Sequence, residues 1–206
     1  ETWETIPAQA DAVWTFPAVP PDTVGAFGEQ VVPRLRRLVV MGATSAYDGS
    51  PQAVRGEPVD ETTPVDRSIA RVHGEELLRE RYGAILLRVA GIYGPGRNPL
   101  EWIRQGRVGY SHRYVNLIHV EDLAAIILRA LEYGTPGDTY NVSDGTPRRW
   151  SEIMDIAAAR WGTAKPLPAD PTPGKRISNR KLLAEFGYNL RYPDFFAALE
   201  ELERQD

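Results

Sequence analysis

The segment LVVMGATSAYDG, residues 38–49, decides the fold. Its first four residues, Leu38-Val39-Val40-Met41, form an unbroken apolar run that stops at Gly42. A strand with one solvated face alternates apolar and polar side chains. An unbroken run suits a strand covered on both faces, as in a parallel sheet. Beyond Gly42 the chain turns small and polar. That change places a loop at the carboxyl end of a buried strand, where open α/β sheets hold their ligands.

Working outward, Ala84-Ile85-Leu86-Leu87-Arg88-Val89 is a second run of the same kind. Ala12-Val13-Trp14-Thr15-Phe16, closed by Pro17 and Pro20-Pro21, is short and rich in β-branched and aromatic residues, and reads as a third strand. A helix capped by Asp22 fits residues 23–35, and another fits Asp66 or Ser68 to Tyr82. Residues 43–64 read as a long polar loop. The order strand, helix, strand, loop, helix, strand predicts an α/β fold with a parallel sheet and right-handed crossovers.

The second half carries shorter elements. A turn at Tyr93–Arg97 leads to a helix over 99–105 and a short strand over 114–118. Residues 120–133 show an apolar face through Leu123, Ile126, Ile127, Ala130 and Leu131, the mark of a helix. A strand over 139–142 and a helix over 150–161 follow. Residues 165–174 hold four prolines and read as a loop. Helices over 179–186 and 193–204 close the chain. The central expectation is geometric: residues 38–41 and 85–89 lie side by side, parallel, with their carboxyl tips facing one crevice.

Composition narrows the function. The 206 residues carry 24 Lys and Arg against 28 Asp and Glu, for a net charge of −4. A general nucleic-acid surface needs a basic field, so no nucleic-acid partner is expected. The absence of cysteine excludes disulfides, thiolate zinc sites and cysteine nucleophiles. His73, His112 and His119 lack metal-ligand spacing, so no metal is expected. No apolar run approaches the roughly 18 residues of a membrane span. Glu1, Glu4 and Asp11 stand where a signal peptide would be basic, so the expected compartment is the cytoplasm.

The residues around these elements carry a resemblance. LVVMGATSAYDG resembles the strand and loop of extended short-chain dehydrogenases/reductases. AILLRVAGIYGPGRNPLEWIRQG, residues 84–106, resembles their next strand and the turn into the substrate lobe. RYVNLIHVEDLAAIILRAL, residues 113–131, resembles the segment returning to the main domain. GDTYNVSDGTPRRWSEIMDIAAARWG and GKRISNRKLLAEFGYNLRYPDFFAALEEL resemble the following strand and helix and the C-terminal helices. The pieces occur in family order. The chain resembles the NAD-dependent epimerase/dehydratase family, and its atypical group most of all.

That resemblance implies a partial Rossmann fold, a doubly wound and mostly parallel sheet over residues 1–92. A small C-terminal substrate lobe would occupy 93–206, with 114–142 returning to the sheet. It implies an NAD(P)-binding, epimerase/dehydratase-like protein acting on a nucleotide sugar or related metabolite. The alternative is a non-catalytic sensor or scaffold of the same fold. The cofactor is NAD or NADP, held at Phe16, Pro17, Gly42, Ala43, Gly91 and Ile92. Substrate would meet Tyr93, Arg97, Asn116 and Arg176. A homodimer would form through the helices over 23–35 and 66–82.

The sequence also departs from the family. It contains no G-x-x-G-x-x-G, the turn and helix N-terminus that hold a pyrophosphate through amide N–H groups. The pattern is entered near the family's fourth strand. The chain is therefore expected to be a piece of a longer protein and to bind a dinucleotide poorly alone. The family's Tyr-x-x-x-Lys pair falls on Ser68 and Val72, neither of which can perform it. Catalytic candidates are Ser68 and Thr44, the latter either in the family's Ser/Thr role or bonded to its own backbone. Arg71 and His73 are either a substitute acid or solvated surface, and the sequence favours surface. Arg88 reads as structural, bridging backbone carbonyls. Gly91 permits either a close approach or a tight turn. Tyr93 stacks on substrate or packs, and Arg97 binds an anion or is solvated. His119 reads as a helix cap, and Trp102, Trp150 and Trp161 as lobe contacts.

Overall fold

The structure, a computed structural model, describes residues 3–164 and 173–205. The proline-rich loop expected over 165–174 lies outside the described residues except for its last two positions. The chain opens with β1 (Asp11–Trp14), α1 (Pro21–Gln30) and β2 (Arg37–Ala43). α2 (Pro51–Arg55), β3 (Pro58–Val59), α3 (Ala70–Tyr82) and β4 (Ile85–Val89) follow. Next come β5 (Gly91–Tyr93), α4 (Pro99–Arg104), β6 (Tyr114–Val115) and β7 (Leu117–His119). The chain continues through α5 (Val120–Tyr133), β8 (Thr139–Val142), β9 (Arg148–Arg149) and α6 (Trp150–Trp161). β10 (Arg176–Ile177), α7 (Arg180–Phe186) and α8 (Phe195–Gln205) complete it.

β1, β2, β4 and β8 form a four-stranded sheet in that order, every pair parallel. The central expectation holds: Val39 pairs with Ile85 and the register runs to Ala43 opposite Val89. The apolar runs are continuous because both faces are covered. Trp14, Leu38, Val40 and Leu86 pack beneath α1 and α3 with Val24, Phe27 and Leu78. Val39, Ile85, Leu87 and Val89 pack on the opposite side with Ile126 and Ala130 of α5 and with Leu182 and Phe186 of α7. Helices thus lie on both faces, the doubly wound arrangement. A separate core joins α4, α6 and α8 through Leu100, Ile103, Ile153, Met154, Phe195 and Leu199. α7 packs on the main sheet rather than in that second core.

The structure corrects several local readings. The loop expected over 43–64 contains a 3-10 turn (Thr44–Tyr47), α2 and β3. Ser50 caps α2 by accepting from Ala53 N at 3.2 Å. β3 pairs with β10, more than a hundred residues away, so no local pattern signals it. Asp22 does not cap α1; Pro20 occupies that position without a side-chain cap, and Asp22 lies in the first turn. The helix expected from Asp66 or Ser68 begins at Ala70. Asp66 Oδ1 instead accepts from Ser68 N at 2.9 Å and Ser68 Oγ at 2.6 Å, a turn that precedes the helix. The strand expected over 114–118 is two: β6 pairs antiparallel with β9, and β7 pairs parallel with β5.

Candidate functional site

The carboxyl edge of the sheet is built by register. Trp14, the last residue of β1, pairs with Val40, and Phe16 and Pro17 follow in the bend just beyond the strand's carboxyl end. Ala43 pairs with Val89 of β4, and the chain then passes through Ala90 to Gly91. At this point it leaves the main sheet: Ala90 N donates to Val142 O, while Gly91 N donates to Asn116 O of the small β5–β7 sheet. The predicted cofactor positions Phe16, Pro17, Gly42, Ala43, Gly91 and Ile92 therefore follow one edge. Phe16 is 58% exposed, its ring 4.5 Å from that of Trp14. Gly91 is exposed and permits a close approach, but of its own chain: a Cβ there would lie 2.9 Å from the Leu117 side chain.

A buried polar layer lies just beneath this edge, on the α3 side. Arg88 is ion-paired with Glu76 of α3, both nearly enclosed. Arg88 Nη1 also donates to Tyr47 Oη at 2.9 Å, and Tyr47 Oη donates to Asn141 Oδ1 at 2.9 Å. Arg88 is structural as expected, but its partners are side chains rather than carbonyls. Burial pushes the Tyr47 phenol above its ordinary pKa, with the Arg88 charge opposing the shift. Tyr47 therefore remains neutral as a tie between β2, β4 and β8.

Ser68 is exposed, bonded to Asp66, and Val72 is fully buried. Neither offers an acid to the edge. Thr44 is buried in the 3-10 turn after β2. The charged group that reaches the edge is Arg71, in the first turn of α3. Its Nη2 donates to Ser45 Oγ at 2.9 Å and its Nη1 donates to Glu75 Oε1 at 3.0 Å. The reading of Arg71 as solvated surface is corrected; His73 is exposed as that reading held. Glu75 is buried, and among the described residues Oε2 has no hydrogen-bond partner. Burial raises its pKa, with the Arg71 charge pulling the other way. Sequence reading did not single out Ser45 or Glu75. The four-residue spacing of Arg71 and Glu75 was the one available signal.

The predicted substrate positions separate. Tyr93 is wholly enclosed, its ring edge-on to His119 and Phe195 at 5.1 and 5.2 Å, and belongs to the lobe core. Asn116 is buried and spent on the backbone: Nδ2 donates to Lys175 O at 3.0 Å and Oδ1 accepts from Ile177 N at 2.8 Å. It clamps β10 in place. Arg97 is exposed, with Nε donating to Ile92 O at 3.2 Å and the guanidinium 5.9 Å from the Trp102 ring centre. Arg176 donates to Gly56 O at 2.9 Å and lines a cleft of about 610 Å³ with Tyr114, Gly145, Asn179, Arg180 and Lys181. A second cleft, of about 800 Å³, opens between the 60–67 loop, α3 and the start of β8, beside Arg67, Arg79, Arg88 and Lys181. Of the predicted site residues, only Arg176 lines either cleft. His119 caps α5 as expected, its Nδ1 accepting from Glu121 N at 3.3 Å.

A parallel doubly wound sheet whose carboxyl edge lies beside a helical lobe defines a Rossmann-type fold. No family model matches the chain. It is 26% identical over 167 residues to Protein YeeZ of Escherichia coli (strain K12), covering 78% of this chain and 60% of that protein. The chain thus spans about 60% of its curated relative's length. A putative NAD-dependent epimerase/dehydratase from Methylobacillus flagellatus is 28% identical and superposes with a TM-score of 0.69, over 94% of this chain and 76% of that one. WbmG of Bordetella bronchiseptica, solved in complex with NAD, superposes with a TM-score of 0.74 at 18% identity, over 95% and 72%. The fold is that of the NAD-dependent epimerase/dehydratase proteins within the short-chain dehydrogenase/reductase class.

Proposed function

We propose that the chain belongs to an NAD(P)-binding, epimerase/dehydratase-like protein acting on a nucleotide sugar or related metabolite. The carrying observation is the carboxyl edge, where β1, β2 and β4 run parallel and β2 and β4 end level, Ala43 opposite Val89. Exposed Phe16 and exposed Gly91 border that edge. An apolar rim at the strand tips fits the nicotinamide half of a dinucleotide. The residues present fit that half alone, because no glycine-rich phosphate turn occurs in these 206 residues. NAD(P), when bound, supplies or accepts a hydride. The chain's own part is to shape the rim, exclude water through the lobe and present polar groups at the tip of β2. The substrate's nucleotide would extend toward Arg176, whose cleft carries Arg180 and Lys181 alongside Asp60 and Glu61. The lobe is residues 93–206, with 114–142 and α7 packed back on the sheet. Homodimerisation through α1 and α3 completes the reading.

The test is saturation-transfer NMR of this polypeptide with NAD⁺. Transfer should reach the nicotinamide protons more strongly than the adenine protons and fall on Phe16→Ala. Equal transfer to both ends, or none, would count against the reading. Binding of NADH at micromolar concentration or tighter would overturn the expectation that the missing phosphate turn is needed.

A further inference from the structure

We propose that Ser45 and Arg71 form a two-donor site for a substrate oxygen, carbonyl or carboxylate, at the tip of β2. The site deepens the proposed function and rests on its reading of the carboxyl edge as a ligand crevice. Ser45 lies two residues beyond the end of β2, in the 3-10 turn. Arg71 crosses from α3 to reach it, 2.9 Å from Nη2 to Oγ. The guanidinium keeps 24% of its side chain exposed, whereas its partner Glu75 keeps 3%. One edge of the fork is therefore held from within, and part of the side chain reaches solvent. Arg71 Nη1 and Nη2 each carry a second N–H, and its Nε–H is a further donor, so the fork has capacity beyond Ser45 and Glu75. A planar guanidinium beside a hydroxyl matches an oxygen anion in geometry and charge.

A purely structural role explains the arrangement poorly. α3 is already anchored by the Arg88–Glu76 pair, by Val72 and Leu78 in the core, and by close packing of Gly74 on Ala18. A further ion pair with a buried, half-satisfied carboxylate costs desolvation that its Coulomb attraction does not readily offset. Such unfavourable arrangements concentrate where a site needs a charge held in place. Gly42 makes room for it: a Cβ there would lie 2.7 Å from Glu75 Oε2.

The test reads the arginine Nε–H signals by NMR while sodium oxalate is added to the polypeptide, with no cofactor present. Oxalate offers the two carboxylates that a built oxygen site should prefer. The Arg71 signal should shift saturably, at concentrations well below those that move Arg160, an exposed arginine paired with Glu200. Ser45→Ala should weaken the response about tenfold, the loss of one hydrogen bond to the bound oxygen. Arg71→Lys keeps charge and stem but loses the fork; it should abolish the shifting signal, which assigns that signal to Arg71, with an unchanged melting temperature. An unsaturable shift, or the same response at Arg71 and Arg160, overturns the proposal. So does an unchanged affinity in Ser45→Ala. A saturable Arg71 shift together with no transfer from NAD⁺ would sink the cofactor reading and leave this one standing. The reverse pattern would do the opposite.

Discussion

Glu75 shows what a single position decides. Burial raises its pKa above the ordinary 4.5. The folded chain therefore holds this proton to higher pH than the unfolded chain. The stability linked to that proton is fully present below pH 4.5 and is lost as pH rises through the raised value. Glu75→Gln, neutral throughout, should melt with a flatter pH dependence above pH 4.5, measured as thermal midpoints up to neutral pH. A wild-type slope identical to that of the variant would remove Glu75 from the account. Exposed carboxylates such as Glu57 and Asp66 are lowered by hydrogen bonds from Arg55 and Ser68 and trend the other way. They are common to both proteins, so the difference isolates Glu75. None of this was legible in the sequence. Glu75 and Glu76 are adjacent glutamates there; only the helix phase sends one to Arg71 and the other to Arg88.

Among the elements, α3 is placed by contact rather than by propensity. Its mid-helix glycine, Gly74, would normally cost up to ~1 kcal/mol relative to alanine. Here a Cβ would stand 2.1 Å from Ala18 O, a backbone atom that cannot swing aside. The clash outweighs the propensity gain, since overpacking costs about 1–3 kcal/mol. Gly74→Ala should lower stability by about 1–2 kcal/mol, seen in urea unfolding. A more stable variant would show that α3 rides further from residue 18 than described. The boundaries of α5, β8 and α6 followed from periodicity and turn signals, because each is a contiguous amphipathic or apolar run. β3, β6 and β10 did not, because two-residue strands exist only by virtue of their partners. Asn116 shows the same limit: its residue type suggested a ligand contact, and its position made it a clamp on β10.

Across the whole molecule, the Arg88–Glu76 pair ties the sheet layer to α3, and Tyr47 and Asn141 extend that tie to β2 and β8. Removing Glu76 leaves Arg88 enclosed against the Tyr47 hydroxyl, so Glu76→Gln should cost about 3–5 kcal/mol, and Arg88→Met less, because Glu76 keeps Arg79 and Arg67. The double variant should cost much less than the sum, measured as a coupling energy in a denaturation cycle. Additive losses would mean that the two charges do not share one enclosed site. The parallel sheet, its two covered faces and the adjacency of β2 and β4 were determined by sequence alone. An unbroken apolar strand has one stable setting, between two helical layers, and the residues that state this are local. What only the tertiary structure decided is the chemistry at the sheet's edge. The tip of β2 meets Arg71 from a helix more than twenty residues on, and Tyr93 and Asn116 are turned inward by the lobe. Side-chain direction and partner across space are set by packing between segments, which residue type and spacing along the chain do not encode.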